Sequence, residues 1–467
     1  MRDAGHRDRR AEERPRGRLV PQHRPRRFRA ALRPPELPLV RGGRHLGDAR
    51  VRLAFAAFRN KPFRLLFAGE LVSLLGTAVA PIALAFAVLD LTGSATDLGY
   101  VLAAGWAPQI VFILIGGVLG DRLPRNLVMV GANVLSAAAQ GTTAALLLAG
   151  VARPWHLAVL AAARGTATAL FFPAAQAVVP EIVEAELLQP ANALIRLATS
   201  SSTVLGAGVG GIAVAAAGPG WAIAFDAATY LASSLILVQI RIPRAVVERG
   251  ETILHELIEG WNEFRSREWL WVIVVCASVG NLVATASFAV LGPLIAKRYL
   301  GGAPAYGAIV ASQSTGFIAG GLLSLRWRPA RPLLVSVLAL LPTAVEIACY
   351  AGVRITAVIA TVAFFAGIGL EIFGVNWITA LQQHIPRHVL SRVNSYDALG
   401  SFVFIPLGLV IAGPLAGRFG ATNTLWGFLA VGLVSIGAAL LSRDVRTLRR
   451  VETETYTEAE ARTTAAS

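Results

Sequence analysis

The chain has 467 residues, of which 55% are hydrophobic and only 15% charged, and its mean hydropathy is +0.59. Soluble globular proteins carry about 25% charged residues, so an ordinary water-soluble fold is excluded for most of the sequence. The net charge of +15 raises the question of nucleic acid, but residues 1–50 alone hold 15 Arg against 6 acidic residues. Most of the remaining basic residues lie in short loops between apolar runs, where the positive-inside rule places them in cytoplasmic segments. No nucleic-acid partner is expected.

Residues 1–58 form an Arg/Pro-rich tail with no apolar run long enough for a signal peptide. Three readings stand: a disordered extension, a tail drawn to anionic lipid, or translation that starts later, near Val51. From Phe63 to Leu441 the chain repeats roughly 20 apolar residues and a short polar break, the length of a bilayer crossing. The pattern predicts twelve transmembrane helices near 65–89, 97–120, 126–149, 155–178, 192–217, 221–240, 269–296, 304–325, 332–351, 355–380, 395–417 and 421–442. The fold class is an all-α membrane protein with two six-helix bundles, 59–240 and 269–442. Between them lies a linker, 241–268, and residues 443–467 are a polar tail.

Within the linker, Ile253, Leu254, Leu257, Ile258 and Trp261 fall at helical spacing. They predict an amphipathic helix, either lying on the membrane surface or serving as a solvated connector. The inside loops carry Arg122, Arg125, Arg241, Arg244, Arg249, Arg265, Arg267, Arg326, Arg328, Arg331, Arg387 and Arg392. The outside loops hold Arg153, Lys297, Arg298, Arg354 and Arg418. This bias predicts a multi-pass protein with both termini cytoplasmic.

Cys276 and Cys349 sit in apolar runs and read as packing residues. The only lysines, Lys61 and Lys297, stand outside any Gly-Lys-Ser/Thr context, so no phosphate loop is present. No cofactor and no metal site is expected. The halves echo each other: Gly117–Arg125 follows the second span, and Gly321–Arg328 follows the eighth. A duplicated six-helix unit is a common plan among transporters.

The segment Gly117-Val-Leu-Gly-Asp121-Arg122-Leu-Pro-Arg125 resembles the signature loop of the major facilitator superfamily, with Pro124 and Asn126 as departures. The resemblance covers about residues 60–442. A narrower set is similar to the enterobactin-exporter-like drug and metabolite efflux branch. It comprises Leu91–Ser94, Asp226–Ser234, Gln383–Pro386, Arg392–Asp397, Pro406–Gly408 and Gly413–Gly417. Gly206-Ala207 stands where exporters often carry Gly-Pro. The resemblance implies a gating latch, with Asp121 holding helix two against helix eleven and Arg122 and Arg125 pairing across the gap. Arg122 and Arg125 as plain positive-inside anchors are the alternative.

Six charged residues fall inside spans: Glu70, Arg164, Arg196, Asp226, Glu346 and Glu371. Placing a charge at the bilayer centre costs at least ~2.5–3.5 kcal/mol, so such residues face a partner or a watery route. Glu371 and then Glu70 are the leading proton-coupling candidates, with Arg164 as partner of an acid or of an anionic cargo group. A structural ion pair or a snorkelling end residue is the alternative for each, and helix capping for Asp226. Gln109, Gln140, Asn281, Asn376 and Trp377 are candidates to line a cavity for an amphipathic molecule; helix-to-helix bonding serves the amides equally well. Gly-x-x-x-Gly pairs at 116/120, 206/210, 316/320 and 413/417 are expected at a sliding interface between the bundles. Pro81, Pro108, Pro342 and Pro406 are expected to distort their helices.

The reading is a proton-coupled secondary efflux transporter of small amphipathic molecules in a bacterial inner membrane. Its partners are lipid, a small-molecule substrate and protons, and it is expected to be a monomer. An importer or uniporter of the same fold is the alternative within the class. A membrane-embedded sensor or enzyme is the alternative outside it, although no His-Glu-x-x-His, CxxC or Gly-x-Ser-x-Gly motif occurs in the spans.

Overall fold

The computed structural model describes residues 57–119, 124–184, 187–240 and 253–450. They are almost entirely helical. The first half contains α1 (Lys61–Thr92), α2 (Ala95–Leu119), α3 (Arg125–Leu148), α4 (Pro154–Ile182), α5 (Leu188–Ala217) and α6 (Pro219–Leu237). A linker helix, α7 (Ile253–Ser266), follows. The second half contains α8 (Glu268–Leu300), α9 (Ala303–Arg326), α10 (Pro332–Gly352), α11 (Thr356–His384), α12 (Arg387–Phe402), α13 (Ile405–Phe419) and α14 (Ala421–Leu441), with a short α15 (Arg443–Thr447). Helices α12 and α13 together make the eleventh span, so the described residues hold twelve spans. Ten are long and apolar enough to cross a bilayer on those grounds alone. Helix α3 is more polar, and it buries Asn133, Ser136, Gln140 and Thr143 inside the first half.

Local chemistry sets the helix ends. The Asn60 side chain caps α1 by accepting from the Phe63 N–H, and Pro62 occupies the first turn. Asn60 also donates through Nδ2 to the Ile182 carbonyl, tying the start of α1 to the end of α4. Gly93, at φ +66°, ends α1 in the left-handed conformation and returns its N–H to the Leu89 carbonyl.

The prolines act unequally. Pro81 and Pro108 lie inside continuous helices. Pro342 and Pro406 each follow a break, at Ala339–Leu340 and Val403–Phe404, because proline has no N–H to continue the ladder. Helix α8 carries π-helical turns at Thr285–Leu291 and Ala296–Leu300, on either side of Pro293.

Consecutive spans alternate direction, so the turns after Thr92, Ala217, Leu300 and Phe419 share one face, here called distal. The two halves meet mainly through α5 against α9 and α2 against α13. The named contacts cluster near the distal face. A Cβ on Gly99 would collide with the Leu409 carbonyl, and one on Gly413 with the Thr96 backbone. Gly211 lies against the Ala303 carbonyl, and Gly307 against the Ala207 carbonyl. Lys297 adds a bridge, bonding the Leu89 carbonyl at 2.7 Å and the Asp90 carboxylate at 2.5 Å.

This corrects the expected role of the Gly-x-x-x-Gly pairs. Gly206 and Gly210 face Ala78 and Val79 of α1, and Gly316 and Gly320 face Phe364 and Ile368 of α11. Those contacts lie within one half. The spacing showed that helices approach closely there but could not say which helix is met. Of the four pairs, 413/417 places Gly413 at the joint between halves; Gly120 lies outside the described residues.

The linker helix α7 docks on the second half. Gly260 packs against Arg392 and Tyr396, and Trp261 stacks on Phe264 with ring centroids 5.7 Å apart. Phe264 joins a buried cluster with Trp269, Trp377 and Val393.

Gly413→Leu is expected to force α13 off α2. Overpacking costs about 1–3 kcal/mol, so the detergent-purified variant should melt several degrees lower. Gly417→Leu, where no neighbour stands within 4 Å, should leave the melting temperature unchanged.

Candidate functional site

The first half gathers its polar side chains where α1, α3, α4 and α6 converge. Asp226, 0% exposed, accepts from Gln140 Nε2 at 2.5 Å through Oδ2, while its Oδ1 has no partner. Asp226 lies a full two turns inside α6, so it is not a helix cap. Arg164 reaches from α4, donates to the Tyr230 hydroxyl at 3.4 Å and lies within electrostatic range of Asp226. The Tyr230 hydroxyl in turn lies 2.9 Å from Thr77 Oγ1. Arg164 Nε is buried without a partner. The opposite charges of Arg164 and Asp226 offset each other's burial, and the amide and hydroxyls satisfy part of what remains.

Three cavities border this cluster in sequence. A volume of about 150 Å³ is lined by Gln109, Gln140, Arg164 and Trp106. It shares Pro81 and Leu102 with a volume of about 260 Å³ between the halves, lined by Thr77 and Thr203 on one side and Ala289, Tyr306 and Val310 on the other. That volume shares Leu74 with a third, of about 230 Å³, lined by Glu70, Gln176, Asn192 and Thr199. Asn192, Arg196, Thr199 and Thr203 fall on one face of α5, and all four are exposed. Glu371 of α11 is half-buried beside Gly320 and Gly321, within electrostatic range of Arg196. The charges of α5 and α11 thus look across the junction of the halves. Glu70, Thr77 and Arg164 thus border three neighbouring cavities that share lining residues, with mainly apolar walls and a few polar side chains among them.

The sequence profile of the Major Facilitator Superfamily matches residues 66–404. The chain belongs to this superfamily. It is similar to macrolide efflux protein A of Streptococcus pyogenes, 26% identical over 411 residues, spanning 84% of this chain and 97% of the relative. The multidrug efflux pump Tap of Mycolicibacterium fortuitum is 25% identical over 80% of this chain and 93% of its own. The enterobactin exporter EntS of Salmonella paratyphi A is 27% identical over 81% and 91%. Among solved structures, a bacterial homologue of the human lysosomal transporter Spinster, inward-facing and unoccupied, superposes with a TM-score of 0.62 at 14% identity, covering 84% of this chain and 99% of that one. The nucleoside transporter NupG gives 0.60 at 12% identity, covering 83% and 100%.

As a major facilitator protein, the chain is a multi-pass membrane transporter with efflux relatives. Its signature loop is only partly in view: Asp121 and Arg122 lie outside the described residues, Gly117 lies near the end of α2, and Arg125 pairs with Glu181 of α4. The Glu346 side chain is 2% exposed and accepts from Gln313 at 3.4 Å, behind Tyr306. Asn281 and Trp377 line a separate cavity in the second half, and Asn376 is buried within α11. Sequence reasoning missed Tyr230 and Asp397. Asp397 falls inside the expected span 395–417 but was not counted among the charges within spans, and Trp377 Nε1 donates to it at 2.9 Å. An acid inside the apolar run of the eleventh span was the available signal.

Gln140→Leu removes the donor from Asp226 and leaves a buried carboxyl unserved. Such a loss costs about 1–3 kcal/mol, so thermal unfolding in detergent should shift down by several degrees. Asp226→Asn made in the same background should recover part of the loss, because it removes the ionisable group.

Proposed function

We propose that this transporter exports small amphipathic molecules from a bacterial cytoplasm, drawing on the proton gradient by alternating access. The observation that carries the reading is the chain of three cavities running from Glu70 to Arg164, set against halves clamped at the distal face. The Arg-rich loops favour both termini in the cytoplasm, and on that reading the closed distal face is the outer one and the state is inward-facing. Three efflux relatives matched over nearly their whole length favour export over import. A twelve-span chain whose buried charges border internal cavities favours transport over catalysis or sensing.

In this mechanism cargo enters between α1, α5 and α9, where apolar walls from Leu74, Ile82 and Val310 hold its hydrophobic part. Gln109, Gln140 and Arg164 meet its polar groups. Glu70 and Glu371 carry the proton: Glu70 lines one of the cavities and Glu371 is half-buried within electrostatic range of Arg196, so each can lose and regain its charge as the halves rock. Arg196 holds the Glu371 charge when the proton has left. Separation of the Lys297–Asp90 pair and of the distal glycine contacts opens the other side.

The test is accumulation of a labelled macrolide in cells with and without the protein and with and without an uncoupler. The protein should lower accumulation, and the uncoupler should abolish the difference. Glu70→Gln and Glu371→Gln, each expressed at wild-type level, should lose about tenfold in export rate, equivalent to ~1.4 kcal/mol. Full uncoupler-sensitive export by both variants refutes the assignment of these carboxylates.

A further inference from the structure

The second half contains a cavity of about 320 Å³, lined by α8, α10, α11, α12 and α14 and sharing no lining residue with the three cavities of the route. Its walls are mainly apolar, with Phe373, Trp377 and Phe402 as aromatic surfaces. Asp397 is the one ionisable oxygen acid among the described lining residues, and no Lys or Arg accompanies it. Its Oδ2 accepts from Trp377 Nε1 at 2.9 Å, and its Oδ1 from Ser401 Oγ at 3.2 Å. A carboxylate offers about four acceptor sites, so two donors fix its orientation and leave it able to take more. Thr343 Oγ1, on the α10 wall, is buried without any hydrogen-bond partner. Asn281 closes the polar side by donating to the Ser401 carbonyl at 2.9 Å.

An oriented acid with no basic partner, an unserved hydroxyl and aromatic walls describe a receptor more than a packed core. Interiors are close-packed, and a structural carboxylate in an apolar setting is normally matched by a cation. The missing complement is one positive charge on a hydrophobic body. The volume falls at the lower end of small-molecule sites, about 300–1,000 Å³, and the aromatic faces suit a cation.

We propose that this chamber in the second half binds a hydrophobic monovalent amine, with its ammonium group on Asp397 and its apolar body against Trp377 and Phe373. The Thr343 hydroxyl donates to an acceptor on the ligand or receives an N–H from it. This is a binding site apart from the route of the proposed transport, and it holds whichever way cargo moves. Gly280 gives an independent handle: it lines the chamber, and a Cβ there would have no neighbour within 4 Å. A larger side chain at 280 therefore fills the chamber without straining the helices around it.

The experiment is equilibrium dialysis of the full-length protein in detergent with labelled imipramine, a tricyclic tertiary amine, and with an uncharged analogue that lacks the amine. Wild type should bind imipramine saturably and prefer it to the analogue. Asp397→Asn should weaken imipramine at least about tenfold, the scale of a lost charge-assisted contact, and leave the analogue unchanged. Gly280→Leu should abolish binding of both. Size-exclusion profiles and melting curves check that each variant is folded; if Asp397→Asn is not, Gly280→Leu decides alone. The proposal is overturned if wild type shows no saturable binding, or if Gly280→Leu binds as wild type. Equal binding of amine and analogue assigns the chamber to acyl chains and also overturns it. Loss on Glu70→Gln but not on Asp397→Asn puts the amine in the route between the halves, with the same result.

Discussion

The two halves are held by backbone approaching backbone, where Gly99, Gly211, Gly307 and Gly413 leave no room for a Cβ. In hydrocarbon no solvent drives helices together, because lipid tails are as apolar as the side chains they would replace. Association then depends on close van der Waals packing, and glycine gives the closest. These contacts are numerous yet individually weak, which suits a joint that must also open. The Lys297–Asp90 pair is partly exposed, and exposed pairs contribute only about 0–1 kcal/mol. It sets the register of α1 and α8 more than it adds to the strength of the joint.

With the distal side closed, the polar groups of the first half have a defined place. Arg164, Tyr230, Thr77, Asp226 and Gln140 are strung across four helices of one bundle, and the route passes their edge. The network is incompletely satisfied, since Arg164 Nε and Asp226 Oδ1 keep no partner. A buried group left so has a structural cost, and a polar cargo group or water entering the 150 Å³ cavity would offset it. The same residues therefore bear on stability and on recognition.

The halves repeat in topology but not in chemistry. The first holds its acid beside a base, and the second holds Asp397 beside an indole and a hydroxyl with no base. Glu346 is likewise served by an amide alone among its described hydrogen bonds. Duplicated backbones allow this divergence because helix packing depends on the small residues, while the polar positions are free to change. Helix breaks precede Pro342 and Pro406 in spans nine and eleven, whereas the helices around Pro81 and Pro108 are continuous.

The sequence by itself determined the all-α membrane fold, the order of its apolar helices, the linker helix and the superfamily. Each follows from local quantities: an apolar length of roughly 20 residues, a polar break, and helical spacing at Ile253–Trp261. It also singled out Arg164, Gln140, Gln109 and Asp226, since polar residues in hydrocarbon are rare enough to stand out. Only the tertiary structure decided that these four share one corner, that Arg196 and Glu371 look across the junction, and that Gly206 and Gly316 serve their own bundles. It alone showed Asp397 facing a chamber. The physical reason is rotational: a helix fixes where a residue lies along the membrane normal, but which neighbour its side chain meets depends on how twelve helices turn against one another.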